Sequence, residues 1–198
     1  MAQLSYIKKT GAEIISVFDD LAQLRITVFR AFPYLYEGSF DYEKEYLKVY
    51  AESENAFLFA VYDGSKMVGA TTCIPLIDET HDVQEPFVNA GINLENVFYF
   101  GESILLPEYR GLGLGHRFFD EREAHARSFE TCIITSFCSV VRAENHPLKP
   151  ADYQPLDKFW LKRGYQREPS LKSKFEWLDI GENQPTQKEM IYWTKKVS

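Results

Sequence analysis

The stretch Tyr109-Arg110-Gly111-Leu112-Gly113-Leu114-Gly115-His116 stands between an apolar run and a charged, helix-like one. Three glycines at every second position let the backbone turn tightly and aim successive N–H groups at one point. A helix opening there adds the positive end of its dipole, so the place suits an anion. A dinucleotide fingerprint beginning at Gly111 needs a third glycine where His116 stands, and one beginning at Gly113 needs it where Phe118 stands. A Walker loop needs Lys-Ser or Lys-Thr after the glycines, and neither follows. What remains is Arg-x-x-Gly-x-Gly, as Arg110, Gly113 and Gly115, preceded by Leu105-Leu106-Pro107-Glu108.

Working outward, 198 residues with 45% hydrophobic content suit one well-packed domain over residues 1–198. The net charge of -7 argues against nucleic acid or an anionic membrane as the main partner, because those surfaces select basic patches. Cys73, Cys132 and Cys138 lack metal or redox spacing and sit among apolar neighbours, as buried free thiols do. Four scattered histidines and no carboxylate cluster at ligand spacing point to no metal site. The first residues lack the apolar core of a secretory signal, and no run is apolar enough to span a membrane. A reducing, cytoplasmic compartment fits best.

Periodicity supplies the order of elements. Ile14, Phe18, Leu21, Val28 and Phe32 recur at helical spacing up to Pro33, and residues 42–50 read as a second, shorter helix. Residues 56–62 and 67–74, joined through Asp63-Gly64, read as a hairpin. Residues 97–106 form a long apolar strand that Gly101 is expected to bend. A helix over about 114–128 buries Leu114, Phe118, Ala126 and Phe129 and turns Glu121, Glu123 and Arg127 toward water. A buried strand over 132–141, a short helix over 156–162 capped by Gly164, and strands near 175–178 and 190–194 complete the chain.

This order, with Arg110, Gly113 and Gly115 in the loop, resembles the GCN5-related N-acetyltransferases. Their signature is Gln/Arg-x-x-Gly-x-Gly/Ala between a strand and a helix, and the likeness runs over about residues 4–195. Asp157-Lys158-Phe159-Trp160-Leu161-Lys162-Arg163-Gly164-Tyr165 is similar to that family's Phe-Tyr-x-x-x-Gly-Phe segment. The resemblance implies an α/β (α+β) single domain with a mixed, mostly antiparallel sheet flanked by helices. It also implies acetyl-CoA or coenzyme A as cofactor and a small-molecule or peptide amine as acceptor, and is compatible with a homodimer through the late strands. The backbone of Gly111, Leu112, Gly113, Leu114, Gly115 and His116, with Arg110, would then hold the pyrophosphate. Ile104, Leu105 and Leu106 would pair with the pantetheine arm, a backbone N–H near Leu105 would face the oxyanion, and Asn145 would contact the cofactor.

Amine acetylation needs a base, because an alkyl ammonium has a pKa of about 10.4. Glu102, a lone carboxylate in an apolar strand, has two readings: general base, or structural carboxylate paired with an arginine such as Arg142. The family's usual acid for the leaving thiolate is a tyrosine where Trp160 stands here, and an indole has no ionisable O–H. Tyr153, in a lengthened loop, is the candidate to replace it, while Tyr165 reads as core. Phe32, Tyr34 and Tyr36 are candidates for contact with the amine, or they pack the loop between the first two helices. The alternative to an enzyme is a non-catalytic acyl-CoA-binding regulatory module, suggested by Trp160. A third reading makes residues 32–50 an interaction surface.

Overall fold

The computed structural model describes residues 4–197. Eight strands form one open sheet in the order β1-β2-β3-β4-β6-β8-β7, with β5 paired to β3 off that path. They are β1 (Leu4–Thr10), β2 (Phe57–Asp63), β3 (Lys66–Pro75), β4 (Val97–Tyr99), β5 (Ser103–Leu105), β6 (Ile134–Val140), β7 (Gln166–Trp177) and β8 (Thr186–Lys196). The helices are α1 (Phe18–Phe29), α2 (Phe40–Glu52), α3 (His81–Asn89), α4 (Leu114–Arg127) and α5 (Asp157–Lys162). Every strand pairing is antiparallel except that of β4 with β6. The expected mixed, mostly antiparallel sheet with flanking helices is what forms.

The first helix is preceded by a 3-10 turn over Gly11–Val17 and ends at Phe29, before Pro33, burying Leu21, Ala22, Leu24 and Arg25. Ser39 caps α2, its hydroxyl accepting from the Tyr42 amide at 3.4 Å. The α3 helix falls in the polar stretch between β3 and β4, where Val83, Pro86 and Phe87 are the side chains it buries. β1 escapes a periodicity reading because only Leu4 and Ile7 of its apolar side chains tuck against the core of this edge strand. β7 and β8 run well beyond the apolar windows near 175–178 and 190–194, since their solvent faces carry Lys172, Lys174 and Glu189, which dilute the alternation.

Two corrections bear on the site. The apolar run 97–106 is two strands, broken at Phe100-Gly101-Glu102. At Gly101 a Cβ would collide with the Tyr50 hydroxyl and come within 2.8 Å of Thr72 Oγ1, so only glycine lets the chain turn there. Glu123 does not face water. It is 5% exposed, accepting from Lys195 Nζ at 3.0 Å and the Tyr165 hydroxyl at 3.3 Å, and pairing with Arg127 and Arg163. Lys195 and Arg163 come from distant segments, which helical spacing around α4 does not reveal.

The break separates the sheet into two halves. β4 pairs with β6 through Tyr99↔Ser136, and the Phe100 amide donates to the Ser136 carbonyl at 2.7 Å. Beyond that bond β5 stays with β3, while β6 continues against β8. A gap therefore opens between β5 and β6.

Candidate active site

Leu106 ends the strand half that borders the gap, and the chain then enters the glycine loop. Gly111 and Gly113 have φ of +78° and +79°, a region that side chains strain to reach, and a Cβ at either would meet no atom within 4 Å. The Arg110 amide donates to the Pro107 carbonyl and the His116 amide to the Gly113 carbonyl, each at 3.1 Å. Between them, among the described residues, the amides of Gly111, Leu112, Gly113, Leu114 and Gly115 donate to nothing in the protein. Five free donors at the start of a 14-residue helix, whose first turn carries no acidic residue, form an open anion cradle. Arg110 is exposed and, among the described residues, has no carboxylate partner, whereas Arg117 lies over the Tyr6 ring and beside Glu121. The His116 ring stacks edge-on against Phe159 at 4.9 Å.

The neighbouring strand β5 offers a free edge. The Thr72 amide donates to the Glu102 carbonyl and the Leu106 amide to the Val68 carbonyl, so even-numbered residues point their peptide groups at β3. By antiparallel alternation Ser103 and Leu105 point theirs into the gap. Ile104 and Leu106 contribute buried side chains instead.

At the end of the gap lies a cavity of about 420 Å³ whose lining includes Gly101, Glu102 and Cys138. Its walls come from α1 (Arg25, Phe29), the loop after it (Tyr34, Tyr36), α2 (Tyr42, Tyr46), α3 (Asp82, Val83) and the end of β7 (Phe175, Trp177). Burial, the largest influence on each, holds the Tyr34, Tyr36 and Tyr46 hydroxyls protonated well above their ordinary range.

Beneath the cavity the Arg25 guanidinium bridges two buried carboxylates, Nη1 to Glu102 Oε1 and Nε to Glu43 Oε2. Burial alone would weaken its charge, but Glu102, then Tyr46 and Glu43, outweigh that and hold it above its ordinary value. Thr72 Oγ1 donates to Glu102 Oε2, and accepts from the Glu102 amide at 2.9 Å. The arginine that pairs with Glu102 is thus Arg25. Arg142 instead binds Asp179 with contacts of 2.6 and 2.9 Å. A further carboxylate, Glu79, is 7% exposed, with Oε1 unpartnered and Oε2 accepting from the Thr80 amide at 2.8 Å. Burial and the nearby charge of Glu102 raise it to about 7, against the Thr80 hydrogen bond and Arg25.

The other anticipated residues are distributed around this centre. Tyr34 and Tyr36 line the cavity, whereas Phe32 lies in an adjoining one of about 280 Å³ with Val140, Arg142 and Tyr153. The Tyr153 ring meets Phe32 edge-on at 4.7 Å, and burial followed by Asp157 raises its hydroxyl. Asn145 is exposed in the loop after β6, where its neighbours Ala143 and Glu144 line the second cavity and it does not. Trp160 packs against Phe137 and Trp193, each at 5.1 Å. Cys138 lies 3.1 Å from the Tyr99 hydroxyl, and burial, only partly offset by that contact, pushes its thiol up to about 12. Sequence reasoning passed over Arg25, Glu43, Glu79 and Trp177. One signal was available: Arg25 interrupts the apolar stripe of its helix, four residues after Leu21 and four before Phe29.

Comparison with known proteins bears on the family and the fold. The acetyltransferase (GNAT) family model matches residues 19–150, well over half of the chain. No curated protein matches the sequence. Among solved structures, an acetyltransferase from Streptococcus agalactiae superposes with a TM-score of 0.61 at 11% identity, covering 100% of both chains. NAA60 from Arabidopsis thaliana, in complex with a bisubstrate analogue, gives 0.60 at 11% identity over 98% of this chain and 100% of that one. A ribosomal-protein-alanine N-acetyltransferase from Brucella melitensis gives 0.59 at 11% identity, covering 96% and 99%. At such identities these likenesses speak to the fold.

Proposed function

We propose, from the premise that this chain belongs to the acetyltransferase (GNAT) family, that it moves an acetyl group from acetyl-CoA to a primary amine. Transfer is direct, within a ternary complex. The observation that carries the proposal is the continuity of three parts: five unpaired amides at the head of α4, the open edge of β5, and the cavity where the gap ends. Arg110 and the amides of residues 111–115 take the pyrophosphate, and Ser103 and Leu105 pair with the pantetheine arm. The thioester supplies an acyl carbon open to attack by an amine.

Glu102 is the proposed base. Arg25 and Thr72 occupy one site on each of its oxygens and fix its orientation, yet a carboxylate has about four lone-pair sites, leaving room for an amine N–H. The ammonium gives one proton to Glu102, the freed lone pair forms the C–N bond, the C–S bond breaks, and the thiolate takes a proton from the Tyr153 hydroxyl, which is replenished by the second proton the nitrogen sheds. The Leu105 amide, aimed into the gap, faces the developing oxyanion. Direct transfer is favoured over an acyl-enzyme because Cys138, the thiol at the cavity, is kept uncharged at neutral pH by its burial.

The test is thiol release from acetyl-CoA in the presence of a panel of primary amines. Turnover is expected, with Glu102→Gln lowering kcat by about 10²–10⁴ while acetyl-CoA still binds. Acetyl-CoA binding without turnover of any amine would replace this reading with the regulatory acyl-CoA-binding module that Trp160 suggests.

A further inference from the structure

We infer that the acceptor is a small free arylalkylamine, held as its ammonium form in the cavity beside Glu102, in preference to the terminus of a peptide chain. This rests on the transferase reading above and narrows it to a substrate class.

Three features of the cavity select that chemistry. The walls are rich in aromatic rings, with Phe29, Tyr34, Tyr42, Tyr46, Phe175 and Trp177 contributed by four separate segments. Flat rings facing inward suit both an apolar body and a cation over a ring face. The charge is one-sided. Arg25 is the only cation lining the cavity among the described residues, and it is already shared between Glu43 and Glu102. Asp82 and Glu176 stand exposed in the lining, and among the described residues neither meets a lysine or arginine; Asp82 has only the His81 ring at 4.0 Å. An ammonium group is attracted, and an acidic substrate is repelled.

The third feature is closure on one side. A peptide acceptor needs a channel from which the rest of its chain can leave. Here the loop after α1 is sewn to the segment after β7. The Glu37 amide donates to the Leu178 carbonyl at 2.8 Å and the Ile180 amide to the Leu35 carbonyl at 2.7 Å. The Trp177 indole donates to the Tyr34 carbonyl at 3.1 Å. Arg142 adds a clamp, donating to the Pro33 and Tyr34 carbonyls at 2.7 and 2.6 Å while it grips Asp179. The wall that Tyr34, Tyr36 and Trp177 form is therefore continuous, while exposed Tyr42, Asp82 and Glu176 leave another side open to solvent, and the volume of about 420 Å³ is at the small end for ligand sites.

The decisive experiment measures initial rates at saturating acetyl-CoA with 2-phenylethylamine, hexylamine, spermidine and a tetrapeptide with a free N-terminus. The expected result is a kcat/KM for 2-phenylethylamine at least about tenfold above that of the tetrapeptide, a gap of about 1.4 kcal/mol. Asp82→Asn and Tyr42→Ala, both at exposed positions, are expected to raise KM for the amine about three- to tenfold and to leave KM for acetyl-CoA unchanged. Efficient acetylation of the tetrapeptide, or of spermidine in preference to the aromatic amine, overturns the substrate class and leaves the transferase reading standing. No turnover of any of the four removes both. Unchanged amine KM in both variants overturns the placement of the amine in this cavity.

Discussion

The loop of residues 107–116 and the cavity around Arg25 face the same gap from its two ends and are built by opposite means. The loop works through backbone: five free amides, two glycines at positive φ, and open space where side chains would be. The cavity works through side chains drawn from α1, α2, α3, β7 and the loop after α1, over one guanidinium that holds two carboxylates. The difference teaches where tolerance lies. Leu112, which is exposed, is exchangeable at little cost to an anion contact made by its amide, whereas Arg25, Glu43 and Glu102 each depend on a partner far away in sequence.

Arg25→Met against Arg110→Met is the sharpest way to break that contrast. Removing Arg25 leaves Glu43 and Glu102 buried without their cation, a loss expected to cost about 3–5 kcal/mol in urea unfolding. Removing Arg110, exposed and without a carboxylate partner among the described residues, is expected to change stability by less than about 0.5 kcal/mol. Similar losses in the two variants would erase the distinction between the regions.

Gly113→Val tests the loop from the other side. Its added side chain points into open space, so the fold should lose no more than the strain of a left-handed residue, about 1–2 kcal/mol. Coenzyme A affinity, measured by titration calorimetry, is expected to fall about a hundredfold, or about 3 kcal/mol, because the pyrophosphate site is obstructed.

Glu79 gives a pH signature confined to the cavity region. Its carboxyl titrates near 7 in the folded protein and near 4.5 in the unfolded chain, so folding favours the protonated form. That burial costs nothing below pH 4.5, grows as pH rises between the two values, and is complete above 7. Glu79→Gln is therefore expected to be about 1–3 kcal/mol more stable than the wild type at pH 8 and to lose that advantage by pH 5. A stability difference constant across this range would mean that Glu79 is not strained by its charge. The smallest effect belongs to Cys138→Ala, where direct transfer predicts a change in kcat of less than about tenfold; loss of an obligatory nucleophile would cost far more.

The same contrast explains what could be read without coordinates. The loop was legible because a backbone site leaves its mark in consecutive positions: glycine where φ turns positive, and no acidic residue in the helix's first turn. A bend at Gly101 was legible for a similar local reason, although the division of the run into two strands and the collision with Tyr50 that demands glycine were not. The cavity was half legible. Tyr34 and Tyr36 stood out as an aromatic cluster, but Trp177 joins them only through the sheet, and Phe32, their neighbour in sequence, points to another cavity. That Glu102 pairs with Arg25, and not with an arginine such as Arg142, escapes the sequence because charge pairing across 77 residues carries no periodic signal. Glu123 was read as exposed for the same reason.

The central claim is that the amides of Gly111 to Gly115 receive the phosphates of coenzyme A. It is tested most directly by adding coenzyme A to the 15N-labelled protein and following every backbone amide. The account predicts that the largest shifts fall on residues 111–115, with a second set at Ser103 and Leu105. Large shifts elsewhere in the protein, with residues 111–115 unmoved, would contradict it.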